Sequence, residues 1–169
     1  MGDKTQLLAL ILAARYKKPF TVMAGILLAT LLNHWLASYV GALAGSYISP
    51  DLLKLILFVL FLGFALWILI PDKEDDVETK RSGSVFVTTT LLFFLAEMGD
   101  KTQLATIALG ANYQNTLFVT LGTTLGMLFS NALAVFFGER LLRRVPMKWM
   151  RRVAAILFAL FALGILVGF

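Results

Sequence analysis

Two copies of one acidic motif dominate this chain. Met1-Gly2-Asp3-Lys4-Thr5-Gln6-Leu7 recurs residue for residue as Met98-Gly99-Asp100-Lys101-Thr102-Gln103-Leu104, and Ala96-Glu97 precedes the second copy. Each copy offers carboxylate, hydroxyl and amide oxygens within a few residues. Glu97, Asp100 and Gln103 stand at i, i+3 and i+6, so on a continuous helix their oxygens fall along one face. Gly99 removes a side chain beside the carboxylates. It permits either close helix approach or a local break that would open backbone carbonyls to a ligand. Hard cations such as Mg²⁺, Ca²⁺ and Mn²⁺ take oxygen sets of this kind. There is no cysteine and a single histidine, His34, so thiolate and multi-imidazole sites are excluded. On this chemistry Asp3, Glu97 and Asp100 are the primary metal-ligand candidates. Thr5, Gln6, Thr102 and Gln103 are secondary.

The elements that must position these groups are apolar. Hydrophobic residues make up 59% of the 169 and charged ones 15%, with a formal net charge of +5; the mean hydropathy is +0.84. Such a chain has lipid as its solvent and must satisfy its backbone within helices. The expected fold is all-α, a polytopic membrane protein with spans at 2–14 (partial), 20–46, 52–70, 84–111, 116–138 and 147–169. Each except the first reaches the ~20 residues a crossing helix needs or comes close to it. Asp100 and Lys101 thus fall inside a span, where a single charge costs about 2.5–3.5 kcal/mol on insertion scales and marks a functional site by default.

Basic residues cluster in three connections: Arg15/Lys17/Lys18, Lys73/Lys80/Arg81, and Arg140 through Arg152. The connections near 47–51 and 112–115 hold no Lys or Arg. With alternating spans the three basic connections share one side, which places them in the cytoplasm and the C-terminus outside. The positive charge is therefore the positive-inside bias, and nucleic-acid binding is not expected.

Pairing residue n with residue n + 97 gives an ungapped match from Met1/Met98 to Gly41/Gly138, through Tyr16/Tyr113, Gly25/Gly122 and Leu36/Leu133. The repeated unit is three spans. An odd number inverts the second unit relative to the first, so the two motifs would meet near the bilayer midplane. The expected organisation is a first unit at 1–70, a charged cytoplasmic linker at 71–83 and a second unit at 84–169. Met1 stands at the position of Met98, so the counterpart of Glu97 and the outer part of the first helix are missing from this sequence.

Other polar residues fall at membrane depth. Asn33 and His34 in one unit align with Ser130 and Asn131 in the other. They could extend the coordination shell, relay protons, or simply bond helices together. Lys101 is four residues from Glu97 and can pair with it when no metal is present; Lys4 is its counterpart. Both lysines are coupling candidates. The competing structural reading is a buried ion-pair network with no transport role, which seldom gains stability over apolar packing. Gly25, Gly41, Gly45, Gly122, Gly126 and Gly138 read as close-packing positions. Trp35, Trp67 and Trp149 read as packing residues or interfacial anchors. No nucleophile–base pair or HExxH motif is present, so an enzyme is not expected.

Glu97-Met98-Gly99-Asp100-Lys101-Thr102 resembles the E-x-G-D-[KR]-[ST] signature that occurs twice in a family of small divalent-cation/proton exchangers. That family includes bacterial manganese exporters and Golgi calcium/manganese-proton exchangers. The resemblance covers nearly the whole chain. It implies a six-helix cation/proton antiporter whose ion site carries over onto Glu97, Asp100 and Asp3. The expected function is Mn²⁺ efflux from a bacterial cytoplasm across the inner membrane, with lipid, the metal ion and protons as partners and no resident cofactor. A homo-oligomer is compatible with it. The alternatives are a Ca²⁺/proton antiporter, an exporter of a small organic cation such as a basic amino acid, and a non-transporting membrane scaffold.

Overall fold

The computed structural model describes residues 4–70, 84–144 and 147–167. Asp3 and the linker 71–83 lie outside the described residues, as does the side chain of Lys4. The fold is all-α. Seven helices occupy the described residues: α1 (Lys4–Tyr16), α2 (Pro19–Ser46), α3 (Pro50–Trp67), α4 (Val85–Glu97), α5 (Lys101–Tyr113), α6 (Thr116–Arg144) and α7 (Met147–Val167). Among the described residues three segments are long and apolar enough to cross a membrane: α2, α3 and the Thr116–Gly138 part of α6. Proline opens both α2 and α3 at the first turn, where its missing N–H costs nothing.

The single span expected over 84–111 is in fact two helices. α4 ends at Glu97, Gly99 takes φ +78°, and α5 restarts after Asp100. Glycine alone tolerates that backbone without strain, and a lysine follows where a new helix can begin. A second irregularity falls at Gly138, where φ 58° and ψ −155° kink α6. Gly138 therefore turns the chain, which the packing reading of its sequence position did not anticipate.

Element boundaries follow the sequence repeat. α1 at 4–16 and α5 at 101–113 are offset by 97, and so are the starts of α2 and α6, at 19 and 116. The two non-glycine residues with positive φ among those described, Lys17 (50°) and Gln114 (51°), are offset by the same number.

The surface is far more apolar than that of a protein in water, and several polar groups are buried. Large apolar side chains face outward, such as Phe118, Leu125 and Phe129 at 73%, 65% and 70% exposure, while Asn33, His34, Glu97 and Asn131 are all 2% exposed or less. A surface of leucine and phenylalanine around an interior that holds polar side chains as well as apolar clusters suits hydrocarbon solvent. Helix α2 is the hub, packed by α4, α5 and α6, while α3 lies on α7. One apolar cluster joins Leu8, Leu12, Ile26 and Phe93; another joins Leu57, Phe61, Ala108 and Ile165.

The α2–α5 contact is backbone against backbone. A Cβ on Gly41 would collide with the carbonyl of Ile107, and one on Gly110 with the carbonyl of Ser38. Small residues permit this approach and gain dispersion that lipid does not supply. Gly122 and Gly126 do not pack in this way, because nothing lies within 4 Å of a Cβ built there. Gly41→Ala is therefore expected to destabilise by about 3 kcal/mol, since a carbonyl cannot swing aside like a side chain. Gly122→Ala should stay near neutral. Melting curves of the two purified variants check the contrast, and equal losses would remove the close-contact explanation.

Candidate functional site

The site is built at the break between α4 and α5. Ending α4 at Glu97 frees carbonyls in its last turn, and one of them is taken by another helix: Asn33 Nδ2 donates to Phe94 O at 3.0 Å. Gln103, one turn into α5, accepts the Gly99 N–H at 2.7 Å and donates to Asn33 Oδ1 at 3.4 Å. The break is thus pinned to α2 by an amide network. Helix geometry does not run through residues 98–100, so the expected single face through Glu97, Asp100 and Gln103 is not formed. The broken chain gathers the carboxylates instead.

Thr102 Oγ1 stands 3.0 Å from Glu97 Oε2 and 3.1 Å from Asp100 Oδ2, so one hydroxyl bridges both carboxylates. Asp100 occupies the N-cap position of α5 without accepting a backbone N–H of its first turn, so its carboxylate meets the Thr102 hydroxyl instead. Glu97 is 1% exposed. The negative end of the α4 dipole and the positive end of the α5 dipole both lie at this break, so the charge offered to a cation comes from the carboxylates.

A cavity of about 410 Å³ opens beside the break. The second motif contributes Asp100, Lys101 and Thr102 to its wall, and the first contributes Thr5 and Gln6. From the long helices come His34, Ser130 and Asn131. Of the sequence-predicted residues, Glu97 reaches this wall through Thr102, while Asn33 and Gln103 serve the tether. Gln6 Nε2 bonds Ser130 Oγ and also Ser130 O, the latter at 3.2 Å. Among the described residues no three Asp, Glu, His or Cys side chains cluster as a ready metal cage.

Lys101 Nζ lies 5.2 Å from the centre of the Trp67 ring, a cation–π contact on the cavity wall. Trp67 had read as a packing or anchoring residue, and Arg151, also on the wall, as part of a basic connection. Neither carries a spacing signal in sequence, because both come from the third helix of a unit, far from either motif.

Carboxylates held at a broken helix, inside a bundle whose outer surface is apolar, fit the class of helical membrane proteins that handle cations. Comparison with known proteins agrees. The family described as "Divalent cation/proton antiporter GDT1" matches residues 1–76 and 85–168, and the chain belongs to it. A protein of Vibrio cholerae named "Putative manganese exporter" is 51% identical over 97% of this chain and 82% of its own length. GDT1-like protein sll0615 of Synechocystis is 30% identical, covering 96% of this chain and 88% of that protein. GDT1-like protein 4 of Oryza sativa subsp. indica is 28% identical, covering 97% and 67% respectively. No solved structure matches the chain.

Proposed function

We propose that the protein exports Mn²⁺ from a bacterial cytoplasm across the inner membrane in exchange for protons, and that it is a transporter rather than an enzyme. The observation that carries this reading is the Glu97–Thr102–Asp100 bridge at the α4–α5 break. One buried and one half-buried carboxylate held by a single hydroxyl concentrate negative charge that a divalent ion can balance. Glu97, Asp100 and Asp3 are the proposed ligands. Thr5, Gln6, Thr102 and Gln103 supply the surrounding polar groups, and Lys4 and Lys101 offer a positive charge when the ion leaves. The kinship with a protein named as a manganese exporter favours Mn²⁺, with Ca²⁺ as the other ion.

The reading includes an inverted repeat of units 1–70 and 84–169 joined by a linker at 71–83. Swapped contacts support it. Gln103 bonds Asn33 and Gln6 bonds Ser130, and adding 97 to 6 and to 33 converts one pair into the other with the units exchanged. A pseudo-two-fold axis generates that exchange. In this orientation the basic connections lie in the cytoplasm and the C-terminus outside.

A cavity of about 410 Å³ has room for an amino acid, so export of a small organic cation is the second reading. Lys101 and Arg151 on the wall repel either kind of cation, so the carboxylates and the metal or amino-acid export itself must separate the two readings. Deleting the gene should raise intracellular manganese and make growth sensitive to added Mn²⁺, and restoring it should reverse both. Unchanged metal content together with altered export of lysine or arginine would select the second reading. No change in either would leave a scaffold.

A further inference from the structure

The polar pairs on the long helices divide their labour. Asn33 and Ser130 hold the two motif glutamines, as described above. Their neighbours His34 and Asn131 hold nothing. His34 is 2% exposed and Asn131 1%, and both line the cavity. Neither ring nitrogen of His34, and neither polar atom of the Asn131 amide, makes a hydrogen bond among the described residues. Buried polar groups without partners are rare, and a site that binds something else is one of the few reasons to keep them. Here the same vacancy of role occurs at two positions offset by 97, and both side chains line one cavity.

Their chemistry differs in one respect. Asn131 provides an amide oxygen that any of the candidate cations accepts. His34 provides a ring nitrogen. Ca²⁺ and Mg²⁺ take oxygen ligands, whereas first-row transition ions also bind imidazole, with affinity rising from Mn²⁺ towards Cu²⁺. With asparagine at both positions the ligands offered here would be oxygen alone. The histidine breaks the symmetry at the one point where it changes ion preference.

We infer that His34 and Asn131 form a second cation station in the cavity, apart from the Glu97–Asp100 pair, and that the His34 imidazole makes it prefer transition-metal ions to Ca²⁺. This inference rests on the divalent-cation reading and narrows its substrate class. Within that reading the carboxylate pair supplies charge and the station supplies discrimination. The tether leaves the station free to act, because Asn33 and Ser130 rather than His34 and Asn131 carry the inter-unit bonds.

Mn²⁺ bound to the purified protein serves as the probe. Pulsed electron paramagnetic resonance should detect nitrogen coupling from imidazole in the wild type and lose it in His34→Asn. In proteoliposomes the ratio of Mn²⁺ to Ca²⁺ flux should fall on the order of tenfold in His34→Asn, and Asn131→His should raise it. A wild-type Mn²⁺ spectrum without nitrogen coupling, or an unchanged flux ratio in folded His34→Asn, would overturn the station while leaving divalent transport intact. A wild type that binds neither ion would overturn the divalent-cation reading itself. Should His34→Asn fail to fold, the wild-type spectrum and the Asn131→His flux ratio decide the matter.

Discussion

Asp100→Asn and Glu97→Gln are each expected to abolish metal export while the protein stays folded in the membrane. Both replacements preserve shape, and each retains a carbonyl oxygen that can accept the Thr102 hydroxyl, so the bridge at the break can persist. What disappears is one negative charge in a low-dielectric setting. Removing a group that only supports a metal ligand costs roughly 10–100-fold, so loss of a charged ligand should exceed the upper end of that range. Stability should change little, because each amide keeps the side chain's shape and an oxygen for the Thr102 hydroxyl. Metal content of cells expressing each variant, measured beside the amount of folded protein in membranes, tests both halves. Near-normal export by the two variants would move the ion site away from the break. Unfolding of both would support the competing view that these charges hold helices together.

Much of this arrangement could be read from the sequence because lipid simplifies the problem. In hydrocarbon every backbone group must be paired within its helix, so apolar runs translate directly into helices. The starts of α2, α3 and α7 accordingly fall within two residues of the expected spans. The repeat was legible because Asp, Lys, Thr and Gln do not recur in apolar helices by chance composition. The break at residues 98–100 was harder to read. Gly99 permits close packing and chain reversal equally well, and only the surrounding helices select between them. Asn33 and Gln103 do so here by bonding the freed backbone groups of the break. The roles of neighbouring polar residues were likewise undecided, since a helix turns 100° per residue and Asn33 and His34 face different neighbours. Trp67 beside Lys101 lay beyond reach altogether: that contact joins α3 to the start of α5 across the bundle, and no periodicity in either helix encodes it.

Lowering the pH on both sides should weaken metal binding, and an imposed pH gradient should drive metal transport. Metal and protons compete for the same carboxylate oxygens, because a ligand must be deprotonated to bind a divalent ion. With one alternating site, the side with more protons expels metal from the site and returns it protonated. An acidic exterior therefore pulls metal outward, and no separate proton path is required. Lys101, on the same cavity wall as Asp100, offers a positive charge to the emptied carboxylates at the moment of release. In proteoliposomes with the membrane potential clamped, Mn²⁺ uptake should accelerate several-fold when the interior is made acidic, and protons should leave as metal enters. Asp100→Asn should remove both fluxes together, as the proposed sharing of one carboxylate by both ions requires. Mn²⁺ movement indifferent to the pH gradient, or proton movement that survives Asp100→Asn, would mean that metal and protons do not share the site at the α4–α5 break.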